Sequence, residues 1–154
     1  MEISALQKAR YEYAPKLPGM LGNGISEIAV KEGEATTSVA DQEKIKALFP
    51  NTYGKKEITF QKGANTSVAK KQVVGVILSG GQAPGGHNVV CGLYDALKAT
   101  NSENVLYGFK GGPSGLIEDK YLIFDDEYIN EFRNTGGFDI IGSGRTKLET
   151  EEQF

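Results

Sequence analysis

The hydrophobic positions change rhythm about halfway along the chain. In the first part they are sparse and periodic only over short stretches. Ile3, Leu6 and Arg10-Tyr11 fall on one side of a helix predicted over residues 2–13, which Pro15 and Pro18-Gly19 end. Gly22-Asn23-Gly24 turns the chain, and Ile28-Ala29-Val30 reads as a weak strand. Ser38 followed by Asp41 has the form of a capping box opening a helix to Phe49, stopped by Pro50-Asn51. Residues 57–60 read as one more strand. Residues 1–70 are therefore expected to be an irregular α/β extension without recognisable chemistry.

At Lys71 the texture changes. Gln72-Val73-Val74-Gly75-Val76-Ile77-Leu78 is a continuous apolar run without alternation, which predicts a strand buried on both faces. A Gly/Pro loop over residues 79–86 follows, and helical periodicity then runs from Asn88 to Leu97. Residues 104–109 predict a second strand, 121–124 a third and 138–141 a short fourth. Asp125-Asp126 can cap a helix running to Arg133. Strand, Gly loop, helix, strand is the grammar of an α/β fold, Rossmann-like with a mostly parallel sheet, over residues 71–154. Thr150-Glu151-Glu152-Gln153 fits a second capping box just before Phe154. A helix announced there and not continued leads us to expect a domain cut from a longer protein.

Composition sharpens one point. Gly accounts for 20 of 154 residues, of which 14 lie in residues 71–154 and 6 in residues 1–70. The second half therefore needs backbone that bends tightly or lets a ligand approach. A net charge of −3 gives no electrostatic footprint for nucleic acid or an anionic membrane. No apolar run approaches the roughly 18 residues of a bilayer span, and Met1-Glu2-Ile3-Ser4 lacks the basic and apolar parts of a signal peptide. One Cys (Cys91) excludes an internal disulfide, and one His (His87) excludes a His-rich metal site. A cytoplasmic protein is expected.

Candidate chemistry lies in the loops. Ser79-Gly80-Gly81-Gln82-Ala83-Pro84-Gly85-Gly86-His87-Asn88 joins a strand to a helix. Outward-pointing backbone N–H groups, the positive end of the helix and the missing Cβ atoms together suit a phosphate. It is not a Walker A loop, since His87-Asn88 stand where Lys-Ser/Thr should be, and it does not fit G-x-G-x-x-G. A tight turn without a ligand is the alternative. A branched side chain at Gly81 is expected to occupy the place of a phosphate oxygen and to force a disallowed backbone angle. If strands 73–78 and 138–141 are parallel, Gly142-Ser143-Gly144-Arg145-Thr146-Lys147 opens at the same sheet edge. Arg145 then offers a planar fork to phosphate oxygens and Lys147 a mobile point charge. Ion pairs with Glu149, Glu151 or Glu152 are the competing assignment for Arg145. His87 is expected to bond structurally, Cys91 to be a small core residue, and Asp125 and Asp126 to be caps.

The four Gly segments, Gly80 to Val89, Gly111 to Leu116, Gly136 to Asp139 and Gly142 to Lys147, come in an order that closely resembles the amino-terminal part of the pyrophosphate-dependent phosphofructokinases of the long type. The resemblance covers residues 73–150, and Gln7-Lys8-Ala9-Arg10-Tyr11 with Pro15-Lys16-Leu17-Pro18 is also like the extension of that type. It implies transfer of a phosphoryl group from pyrophosphate to the C1 hydroxyl of fructose 6-phosphate with Mg²⁺. It also implies that Gly81 lies against the donor, that Gly80 shapes the loop and that Arg145 contacts donor phosphate. ATP-using relatives have Asp at the place of Gln82, so Gln82 leans toward pyrophosphate. The diphosphate-binding set is thus Gly80, Gly81, Gln82, Arg145 and Lys147. The family's Gly-Gly-Asp segment for Mg²⁺, Thr-Ile-Asp segment for the base and Met-Gly-Arg segment for the sugar phosphate are expected beyond Phe154. No catalytic or metal-ligating residue is therefore expected in this chain, which alone should be inactive. Intact, the protein is expected to be a homo-oligomer, a dimer. An ATP-dependent phosphofructokinase fragment, a non-catalytic phosphate-binding regulatory module and a purely structural fragment are the alternatives.

Overall fold

A computed structural model describes residues 3–22, 24–64 and 70–153. Helix α1 (Ala5–Glu12) opens with the Ser4 hydroxyl accepting from the N–H of Gln7. Strand β1 (Ile28–Ala35), helix α2 (Gln42–Leu48) and strand β2 (Lys56–Lys62) follow. The Gly-rich half holds β3 (Val73–Val76), α3 (Gly86–Thr100), β4 (Val105–Phe109), α4 (Pro113–Ile117), β5 (Tyr121–Ile123) and α5 (Asp126–Phe132). The chain forms two compact units, one of residues 17–66 and one that joins residues 1–16 to residues 67–154.

The unit of residues 17–66 is an antiparallel ribbon of β1 and β2, with Val30 opposite Phe60 and Glu32 opposite Ile58. The expected capping box of Ser38 and Asp41 does not form. Asp41 precedes α2 in a left-handed conformation (φ 51°) with its carboxylate on Lys44 at 3.2 Å, and Ser38 Oγ donates to the carbonyl of Ala40.

In the other unit the sheet order is β3-β4-β5. β3 and β4 are parallel, Val73 beside Val105 through Val76 beside Gly108. The 15-residue helix α3 makes the crossover that a parallel pair requires. β5 runs antiparallel to β4, Tyr107 beside Ile123. The connection between them holds only α4, a helix of five residues, too short to carry the chain back to the starting edge. The α/β class expected from the sequence is the one that forms, with a mixed sheet. Pro113 at the first helical position marks α4, where the sequence suggested only a loop.

Two expectations need correction. β3 is not buried on both faces, for Val73 stands 66% exposed while Val74 and Val76 pack on the core. Residues 138–141 form no strand. The N–H groups of Asp139 and Ile140 both donate to His87 Nε2, so they have none left for a neighbouring strand. The core is built by Val90, Cys91, Tyr94 and Leu97 of α3, Leu106 of β4, Ile129 of α5, and Phe124, Ile140 and Ile141. At the end of the described chain, Gln153 Oε1 accepts from the N–H groups of Glu149 and Thr150, the glutamine half of the expected capping box.

Candidate functional site

The loop that leaves β3 is fastened at both ends. At the first, Ser79 bridges Gly144 in parallel fashion, Gly80 N–H donates to Gly144 O at 2.8 Å and Gly144 N–H donates to Leu78 O at 3.3 Å. The two Gly segments are therefore neighbours at the end of β3, joined by this bridge and not by the fourth strand expected from the sequence. At the second, Gly85 N–H donates to Gly136 O at 2.8 Å and His87 N–H to Gly137 O at 2.9 Å. Between the fasteners Gly81, Gln82, Ala83 and Pro84 are exposed. Among the described residues, the backbone N–H groups of Gly81, Gln82 and Ala83 have no protein partner.

Arg145 lies over this free stretch. A Cβ added to Gly81 would stand 2.9 Å from Arg145 Nη2, so the guanidinium occupies the space a side chain would take. None of Glu149, Glu151 and Glu152 pairs with Arg145, and its guanidinium has no hydrogen-bonding or ionic partner among the described residues. Lys147 is different. Its Nζ stands 3.8 Å from Glu149 Oε1 with both side chains in solvent, a weak and easily exchanged pair. Gln82 is exposed and makes no hydrogen bond among the described residues.

The glycines divide by cause. Gly80 has φ +104° and needs the left-handed freedom of glycine. Gly81 does not, so the disallowed angle expected of a side chain there is absent, and the obstacle is Arg145. A Cβ on Gly112 would strike Gly144 N, and one on Gly144 would strike Gly111 O. These two glycines are required by the closeness of the two segments to each other. Gly86, at the start of α3, likewise makes room for the ring of Phe138.

His87 is 4% exposed and structural, as its place at a helix start suggested. Its partners Thr135, Gly137, Asp139 and Ile140 lie 48 to 53 residues away, beyond the reach of local spacing rules. Cys91 is buried, its Sγ on the carbonyl of Ile129, and burial pushes its thiol up from the ordinary value. It is a core residue, not a thiolate nucleophile. Asp125 caps α5 by accepting from Tyr128 N–H, and Asp126 accepts from the Tyr94 hydroxyl. Among the described residues no three His, Cys, Asp or Glu side chains converge into a metal site. What the residues gathered here can supply is anion binding: loop N–H groups and a guanidinium without a partner among the described residues, and the amino end of a 15-residue helix.

No family model matches the chain. Over its whole length it is homologous to a segment of proteins named pyrophosphate–fructose 6-phosphate 1-phosphotransferase. It is 53% identical over 154 residues to that of Porphyromonas gingivalis and 46% identical over 154 residues to that of Entamoeba histolytica, covering 28% of each. It is 42% identical over 153 residues to the beta subunit of the Solanum tuberosum enzyme, with 98% of this chain and 26% of the subunit aligned. The chain thus spans little more than a quarter of the length of these relatives.

Proposed function

We propose that these residues are the phosphoryl-donor part of a longer phosphotransferase that converts pyrophosphate and fructose 6-phosphate into fructose 1,6-bisphosphate and phosphate. The observation that carries this reading is the Arg145 guanidinium over Gly81 beside three loop N–H groups, all without a partner among the described residues. Gly80 sets the turn, Gly81 leaves space, and Arg145 accepts the charge of the donor oxygens as a two-pronged donor. Lys147 adds a mobile charge at the rim, and Gln82, uncharged, does not repel a pyrophosphate. Phosphoryl transfer depends mainly on positioning and charge neutralisation, which is the work these residues can do. Mg²⁺, the general base and the sugar-phosphate pocket are assigned to parts of the longer protein outside this chain, and these 154 residues alone are inactive. No helix among the described residues is long and apolar enough to cross a membrane. A cytoplasmic glycolytic dimer is the setting we assign to the intact enzyme.

The test is a turnover assay of the full-length protein with fructose 6-phosphate, Mg²⁺ and either pyrophosphate or ATP. Fructose 1,6-bisphosphate formed with pyrophosphate and not with ATP supports the reading. Activity with ATP alone, or binding of phosphate without turnover, overturns it in favour of an ATP-dependent enzyme or a regulatory module.

A further inference from the structure

We propose that His87 is a positioning residue for Arg145, holding the segment that carries it against the donor loop. This inference rests on the donor-site reading above. His87 is the second residue of α3, directly after the donor loop, and its ring is buried. Nε2 accepts the N–H groups of Asp139 at 3.0 Å and Ile140 at 3.1 Å, with Asp139 Oδ1 2.8 Å away. Nδ1 stands 2.6 Å from Thr135 Oγ1 and 3.2 Å from Gly137 N. The Thr135 hydroxyl in turn donates to Phe132 O, which ties the ring to the end of α5. Phe132 meets the ring edge-on at 4.9 Å, and Gly137 has no Cβ because the imidazole fills that space.

The path from this ring to Arg145 is short and bonded at each step. Ile141 O receives Gly111 N–H, and Gly144 is tied to Leu78 and Gly80. Residues 80–87 and 137–144 therefore make a closed ring, fastened by Gly144 at one end and by His87 at the other. Arg145 follows the first fastener directly. A backbone held at both ends fixes the point from which the Arg145 side chain reaches over Gly81 before any ligand arrives, and preorganised donors contribute most to charge stabilisation.

The test uses the full-length protein and the variants His87→Asn, His87→Gln and Arg145→Ala. A glutamine Oε1 reaches the place of Nε2, whereas an asparagine reaches only that of Nδ1. Losing two backbone hydrogen bonds should raise the KM for pyrophosphate about tenfold in His87→Asn, with the KM for fructose 6-phosphate changed less than about twofold. His87→Gln should recover most of the loss. In the Arg145→Ala background His87→Asn should add less than about twofold, since the group it positions is gone. Equal losses in Asn and Gln, a matching rise in both KM values, or additive losses with Arg145→Ala would overturn the proposal. Should His87→Asn fail to fold, the comparison of wild type with His87→Gln decides it. Arg145→Ala with an unchanged KM for pyrophosphate would instead refute the donor-site reading. Hydrogen exchange at the Asp139 and Ile140 amides then decides the His87 clamp separately: faster exchange in His87→Asn that His87→Gln restores supports the clamp, and unchanged exchange overturns it.

Discussion

Gly80 and Gly81 are neighbours in the donor loop, yet they hold their places for different reasons. Gly80 adopts φ +104°, where an L side chain is strained, so Gly80→Ala should cost about 1–2 kcal/mol of stability in urea unfolding. Gly81 has an ordinary backbone angle, and a Cβ there meets only the far end of Arg145. Gly81→Ala should therefore change stability by less than about 0.5 kcal/mol while raising the KM for pyrophosphate, because it moves the guanidinium. A large stability loss at Gly81 with an unchanged KM would make the loop a plain turn. Lys147→Ala should matter little in either measurement, since that amino group is exposed beside Glu149. The residue types for anion binding could be picked out along the chain. The difference between Gly80 and Gly81 could not, because composition does not say which glycine needs φ and which needs space.

At the scale of elements, α3 is the hub. Its C-terminal end is locked by Asn104, fully buried, whose Nδ2 donates to Leu97 O and Thr100 Oγ1 and whose Oδ1 accepts from Gln72 N–H just before β3. Asn104→Ala removes these three hydrogen bonds and empties the space of a fully buried side chain, and should destabilise by about 2–3 kcal/mol in thermal or urea unfolding. On its other face α3 meets α5 through Arg133, which grips Asp95 with both terminal nitrogens, and through the Tyr94 hydroxyl on Asp126. Burial, then the bond to Asp126, pushes Tyr94 up from 10 to about 12. The native state therefore keeps a proton that the unfolded chain releases above pH 10, and stability is full below that pH and falls between pH 10 and 12. Between pH 8 and 11 the wild type should lose about 1 kcal/mol more than Tyr94→Phe, read from urea midpoints. An identical loss in the two proteins would contradict this pairing.

Helices α3 and α5 and strands β3 to β5 were legible because periodicity, Gly/Pro punctuation and the Asp125 cap are local signals. Residues 138–141 were not. Phe138 to Ile141 is as apolar as a short strand, but its fate is decided by an imidazole some 50 residues earlier in the chain, a contact that no local pattern carries. The sequence brings the two Gly segments to one sheet edge only if residues 138–141 form a parallel strand; they do not, and the segments meet instead through the single Ser79–Gly144 bridge.

At the scale of the whole molecule, one face of the three-stranded sheet is open. Val73, Tyr121 and Ile123 are 66%, 43% and 54% exposed, in a sheet whose parallel pair would ordinarily be covered on both sides. The chain spans about 28% of its relatives' length, so we expect further chain to cover this face in the full-length protein. Val73→Lys should then cost more than about 1 kcal/mol there, whereas a surface position would tolerate it within about 0.5 kcal/mol.

The assignment of this half-sheet to the donor side of a phosphotransferase rests above all on Arg145, and Arg145→Lys in the full-length protein tests it most directly. The substitution keeps the charge and removes the planar two-pronged fork. With each substrate varied in turn, kcat/KM for pyrophosphate should fall by about ten- to hundredfold, the equivalent of about 1.5–3 kcal/mol, while the KM for fructose 6-phosphate stays within about twofold. A defect confined to fructose 6-phosphate, or none at all, would show that the guanidinium over Gly81 serves some other ligand.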